Sequence, residues 1–242
     1  MSLNVVARSA LFVLIQIVFT PVFSIVSLLT FPLPLHGRYA IISWWARSMV
    51  ALARWLCGIE YRVIGAEHIP REPCVIISKH QSAWETFVFQ VIFPPQVWVL
   101  KRELLWVPFF GWGLAMLAPI AIDRGSGARA LRQMVDQGTD RLRRGFCVVI
   151  FPEGTRIAPG ARGTYHPGGA LLAVKTGALA VPVAHNAGTC WPRNALMKRP
   201  GMITISIGPA IAPQGLSAAE LNRRLEEWIE SEMPRLNDHA RS

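Results

Sequence analysis

Two short clusters in this chain hold residue types that could do chemistry together. Lys79-His80-Gln81-Ser82-Ala83-Trp84-Glu85 sets a histidine five positions before a carboxylate, directly after the apolar run Cys74-Val75-Ile76-Ile77-Ser78. Phe151-Pro152-Glu153-Gly154-Thr155-Arg156 follows a second apolar run, Cys147-Val148-Val149-Ile150, and puts an acid and an arginine into one turn. A histidine held by a carboxylate is a general base, and an arginine beside glycine backbone is an anion site. Polar clusters at the exits of buried strands are how an α/β sheet presents a reactive centre.

Spacing constrains how the pair can meet. Helix positions five apart point about 140° away from each other, so His80 and Glu85 meet only with His80 in the loop and Glu85 in the first helical turn. Ser82 is then the N-cap. The same stretch, Ser82 to Glu85, also matches a capping box in which Glu85 only bonds the helix start, and spacing leaves both readings open. Arg124 follows the run Pro119-Ile120-Ala121-Ile122-Asp123, so Arg124 and Arg156 converge on one sheet edge, where each guanidinium can grip phosphate or carboxylate. Gly125, Gly127 and Gly154 let backbone amides approach the same anion. A structural pairing of Asp123 with either arginine is the plainer alternative. Residues 154–219 hold six Lys/Arg and no acid, which tilts the local field toward an anion.

The elements that must position these groups are strands alternating with helices. Strand-like runs occupy 61–64, 74–78, 97–101, 120–122, 147–151, 180–184 and 202–207, with helical segments at 84–92, 127–144 and 168–176 between them. A last helix starts at the capping box Ser217-Ala218-Ala219-Glu220 and runs to about residue 233. This order predicts an α/β domain over 59–242, with a mostly parallel sheet of about seven strands flanked by helices.

Residues 1–58 read differently, as an N-terminal hydrophobic two-helix membrane motif. No charge interrupts 10–31, a run of about 20 residues that is long enough to cross a bilayer core. Pro21 falls inside it, so a kink or a shallow dip is an alternative to crossing. A second helix over 38–57, closed by Gly58, carries Trp44, Trp45 and Trp55 among Arg38, Arg47 and Arg54, a mixture suited to the headgroup zone. Residues 1–59 contain four arginines and no acid, three of them after the long apolar run, which favours a cytoplasmic location for everything downstream.

Composition supports that setting. The 242 residues carry a formal net charge of +10 with 52% hydrophobic residues and nine tryptophans, and mean hydropathy is +0.33. Nucleic-acid binders are more polar and carry longer basic runs, so nucleic acid is excluded as a partner and an anionic lipid surface is favoured. Cys57, Cys74, Cys147 and Cys190 have no metal-ligand spacing and read as buried reduced thiols, with no metal expected.

His80-x4-Glu85, Ile122-Asp123-Arg124, Phe151-Pro152-Glu153-Gly154-Thr155-Arg156 and Val181-Pro182-Val183 occur in the order and spacing of the four motif blocks of the glycerolipid acyltransferase family. The chain resembles its bacterial 1-acyl-glycerol-3-phosphate branch over roughly residues 60–210, and Lys101-Arg102-Glu103-Leu104 with Pro108-Phe109-Phe110-Gly111 adds to the likeness. The resemblance implies acyl transfer from acyl-CoA or acyl-carrier protein to lysophosphatidic acid at a phospholipid membrane. It implies His80 as the base, with Glu85 standing where most members have aspartate, and no cofactor. It also implies that Lys101, Arg124, Glu153, Gly154, Thr155 and Arg156 form the acceptor site. Another lysolipid acceptor, such as lyso-ornithine lipid, and a non-catalytic membrane lipid-binding protein are the alternatives.

Overall fold

The central strands are uninterrupted apolar runs because helices cover both of their faces. The computed structural model describes residues 3–238, apart from the side chains of Arg124, Asn237 and Asp238. Seven strands, β1 (Ile59–Ile64), β2 (Val75–Ser78), β3 (Gln96–Lys101), β4 (Ile120–Ile122), β5 (Cys147–Ile150), β6 (Ala180–His185) and β7 (Gly201–Ile207), form one sheet in the order β1-β7-β6-β2-β5-β3-β4. Every residue of β2, β5 and β6 is buried, whereas β1 alternates toward solvent. Five neighbours from β6 to β4 run parallel. β7 pairs antiparallel with β6 and β1 parallel with β7, so the two strands at one side of the sheet are reversed relative to the rest. The C-terminal ends of the five co-directional strands therefore share one edge, and it is there that the clusters of interest emerge.

Helices α5 (Ala128–Arg143), α6 (Gly168–Thr176) and α8 (Ala218–Asp238) form one contiguous layer against the strands. Gly169 lets α6 lie close to the sheet: a Cβ on it would lie 2.2 Å from Ile77 Cδ1 of β2, so a larger residue there requires that isoleucine to turn aside. Ser217 Oγ accepts from the backbone N–H of Glu220, as a cap should, but the Glu220 carboxylate turns to Arg223 and Arg224 instead of closing the box. Helix α8 continues past the expected end to Asp238. The short helices α4 (Phe110–Ala115) and α7 (Ala187–Cys190) were not legible in the sequence pattern.

The second group of helices is α1 (Leu3–Leu29), α2 (Leu35–Cys57), α3 (Trp84–Ile92) and α4, with α2 against α3 and α1 against both α2 and α4. Arg38 ties the α1–α2 connection by donating to the carbonyls of Phe31 and Leu33, and Gly58 closes α2 in the left-handed conformation at φ 68°. By length and composition α1 is apolar enough to cross a membrane. Its packing is inverted relative to a water-facing helix. The buried positions are Ser9, Phe12, Ser24 and Ser27, while Leu14, Ile17, Val18, Val22 and Ile25 point outward. Ser9 bonds both the carbonyl and the N–H of Lys198, and Ser24 Oγ donates to the Phe109 carbonyl, so α1 is docked near both of its ends. All four cysteines are buried free thiols.

Candidate active site

His80 stands in the loop between β2 and α3, and its backbone, Nδ1 and ring face are all held. Its ring Nδ1–H donates to Glu85 Oε1 at 2.8 Å. Because a carboxylate can only accept, Nδ1 carries the proton and Nε2 is left with its lone pair. Phe151 stacks on the ring at 3.9 Å between centroids and 15° between planes. The His80 backbone N–H donates to Glu153 Oε2 at 2.9 Å, and its carbonyl accepts from Ile157 N–H at 2.7 Å. The β2–α3 loop is thus sewn to the turn that follows β5.

Glu85 makes both sets of contacts, to the start of the helix and to the imidazole. Its Oε1 accepts from the Ser82 N–H at 2.8 Å, the carboxylate half of a capping box, and Ser82 Oγ accepts from Trp84 N–H at 3.1 Å. The same Oε1 also accepts from Gln81 N–H at 2.9 Å and from His80. The glutamate reaches the imidazole despite its extra methylene because the loop brings His80 back over the helix start. Burial of Glu85 is complete and opposes the charged form. Nearby His185, His80 and the Ser82 N–H outweigh that burial and hold the carboxyl below the usual range.

His185, at the end of β6, is a residue that sequence reasoning passed over. Its Nε2–H donates to the Lys79 carbonyl at 2.8 Å, and its Nδ1 accepts from Ala187 N–H at 3.3 Å, so the ring is in its neutral form. Burial pushes its pKa down, against the pull of Glu85. Lys79 was also passed over. Its ammonium is fully buried, paired with Glu153 Oε1 at 2.7 Å and with Glu230 Oε1 at 2.7 Å. Only its place beside His80 in an apolar context could have signalled this.

A cavity of ≈ 520 Å³ opens beside the imidazole. Its lining includes His80, Lys101, Gly154, Thr155, Arg156 and Arg193, and the exposed Lys101 and Arg193 mark its rim, with Arg156 a third cationic side chain. Its buried lining includes Ile42, Phe87, Trp98 and Leu117, with the half-buried Phe23 and Trp45. The cavity therefore joins a cationic rim to a largely apolar interior, which suits a molecule with an anionic head and an alkyl tail. Gly154 sits at φ +65°, which gives the turn its shape. Arg193 comes from a loop after α7, donates from Nη1 to the Arg156 carbonyl at 3.2 Å, and belongs to the acid-free stretch already noted. Glu153 does not line the cavity with these residues; it is 5% exposed and turned toward Lys79 and the His80 backbone. Burial pushes its carboxyl up, with Lys79 and the His80 N–H working against that. The side chain of Arg124 lies outside the described residues; its backbone begins a 3-10 turn capped by Asp123, whose Oδ1 accepts from Gly125 N–H. Among the described residues, no group of three His, Cys, Asp or Glu is placed to hold a metal ion.

The family model "Acyltransferase" matches residues 60–186. The chain is 49% identical over 209 residues to the 1-acyl-sn-glycerol-3-phosphate acyltransferase of Pseudomonas aeruginosa, covering 85% of this chain and 81% of the relative. It is 28% identical over 223 residues to the human 1-acyl-sn-glycerol-3-phosphate acyltransferase beta, covering 89% and 77%. The crystal structure of the 1-acyl-sn-glycerophosphate acyltransferase from Thermotoga maritima superimposes with a TM-score of 0.79 over 96% of this chain and 95% of that one, at 22% sequence identity, a likeness of fold.

Proposed function

The chain belongs to the acyltransferase family, and from that premise we propose that it transfers an acyl group from the thioester of CoA or acyl-carrier protein to the free hydroxyl of 1-acyl-glycerol-3-phosphate, forming phosphatidic acid. One observation carries the reading. The Nδ1 of His80 is locked on a buried, charged carboxylate, and His80 lines a cavity that has cationic side chains at its exposed rim and apolar ones within. In this mechanism Nε2 takes the proton of the glycerol hydroxyl as its oxygen forms a bond to the thioester carbonyl carbon. The tetrahedral intermediate collapses, the carbon–sulfur bond breaks, and the departing sulfur receives the proton from Nε2. A thioester is already activated, so a base and fixed charges suffice for the reaction. Glu85 stabilises the transient imidazolium without leaving its place. Lys101 and Arg156, with Arg124 from the adjoining turn, provide the cations for the acceptor phosphate, and Gly154 and Thr155 shape the turn that presents Arg156.

The setting proposed for this reaction is the cytoplasmic face of the inner membrane, with residues 1–58 as the membrane-associated hairpin and 59–242 as the catalytic domain. The outward aliphatic face of α1, docked near both ends onto the body, supports a helix lying in the interface. Such an arrangement brings the basic rim to the depth of a lysolipid headgroup.

The test is transfer from acyl-CoA to lysophosphatidic acid with release of free thiol and the product identified by mass. His80→Ala is expected to lower turnover by about 10²- to 10⁴-fold with the fold intact. Undiminished turnover in the purified variant sinks the mechanism. An acceptor panel containing lyso-ornithine lipid checks the headgroup assignment.

A further inference from the structure

Resting on the reading of His80 as the base, we propose that Glu153 is a positioning residue for that histidine, and that Lys79, Glu230 and Tyr165 extend its hold into α8. A carboxylate in the middle of an anion-binding turn is an electrostatic anomaly if it faces the substrate, since it repels phosphate. Here both oxygens are engaged on the inner side. Oε2 accepts the His80 N–H at 2.9 Å, and Oε1 lies 2.7 Å from Lys79 Nζ. Lys79 in turn donates to Glu230 Oε1 at 2.7 Å and to the Ala161 carbonyl at 3.3 Å. Tyr165 OH donates to the same Glu230 oxygen at 2.8 Å, and burial keeps that phenol protonated. Gly163 backs the arrangement; a Cβ there would come within 3.1 Å of Glu153 Oε1.

The consequence is a division of labour around one residue. Glu85 sets the ring's tautomer, and Glu153 sets where the backbone places that ring. The chain of charges runs from the base loop through the β5 turn to the last helix, so α8 takes part in holding the base without approaching the cavity. A buried ion pair on its own is no argument for function, nor a strong one for stability. What marks this one is that its end point is the amide of the residue that removes the proton.

The experiment uses the full-length chain in lipid vesicles and measures kcat, KM for lysophosphatidic acid and the melting midpoint of the wild type, Glu153→Gln and Tyr165→Phe. For Glu153→Gln, kcat falls by about 10²-fold while KM stays within about 2-fold, because the base is displaced and the phosphate site is not. Tyr165→Phe removes a single hydroxyl remote from the cavity and gives a smaller loss with the same signature, so it decides the matter even where Glu153→Gln fails to fold. A KM for lysophosphatidic acid that rises while kcat is kept makes Glu153 a substrate contact and overturns the proposal. A lower melting midpoint with unchanged kcat per folded molecule makes the network purely structural and also overturns it. Wild-type protein with no transfer activity refutes the functional reading itself, which separates that failure from the other two.

Discussion

Two glutamates reach the same histidine from opposite directions, and they were not equally visible in the sequence. Glu85 lies five residues away, and its reach is settled by local geometry: a strand exit, a capped helix start and one carboxylate between them. Glu153 lies 73 residues away, and its reach depends on β2 and β5 being neighbours in register, with Val75 opposite Val148. A spacing can disclose the first contact. It cannot disclose the second, because sequence separation says nothing about which strands become adjacent. The FPEGTR stretch drew attention as a phosphate turn, and the structure divides it, with Arg156 and Thr155 on the cavity and Glu153 facing inward.

The largest expected effect tests the local contact. Glu85→Gln keeps an oxygen for the Ser82 and Gln81 amides, yet it removes the charge that fixes the imidazole tautomer. Turnover is expected to fall by about 10²- to 10⁴-fold, with the melting midpoint changed far less. Near-normal turnover would show that Glu85 is a helix cap and nothing more, and would erase the contrast between the two acids.

The distant network predicts the opposite balance at Lys79. Lys79→Met leaves the buried Glu153 and the partly exposed Glu230 near each other with no cation between them. Removing one partner of such a group is expected to cost about 3–5 kcal/mol in unfolding free energy, read from urea denaturation of the detergent-solubilised protein. A loss under about 1 kcal/mol would place these side chains among the surface ion pairs that contribute little. The comparison would then sharpen differently, with Glu153 held by the His80 amide alone.

Legibility followed the same division across the fold. The runs of β2, β5 and β6 were plain because strands buried on both faces contain little except apolar residues. The reversal of β1 and β7 was not, since direction is decided by pairing partners and leaves no mark on a strand of six or seven residues. α4 and α7 are too short to establish a period, at six and four residues. The apolar run of α1 was visible, but the meaning of its serines was not. Only the docked structure shows that its hydroxyls face the protein and its aliphatic residues face away. Arg193 was legible only as one cation in an acid-free stretch, because a turn after α7 decides that it joins the rim.

The smallest expected effect concerns His185, which sits beneath the base loop and holds the Lys79 carbonyl. Its folded pKa is depressed by burial, so below the ordinary histidine value near 6.5 the unfolded chain takes up a proton that the native chain refuses. Stability from this group is therefore complete above that pH and declines as the medium is acidified, by at most about 1.4 kcal/mol per pH unit for one proton. Glu85, also depressed, adds a decline of the same sign only at lower pH, below the ordinary carboxylate range. His185→Gln retains an N–H donor for the Lys79 carbonyl and removes the titration. Its melting midpoint should fall less than that of the wild type between pH 7 and pH 5, and equal slopes would mean that the imidazole is not held neutral beneath the base.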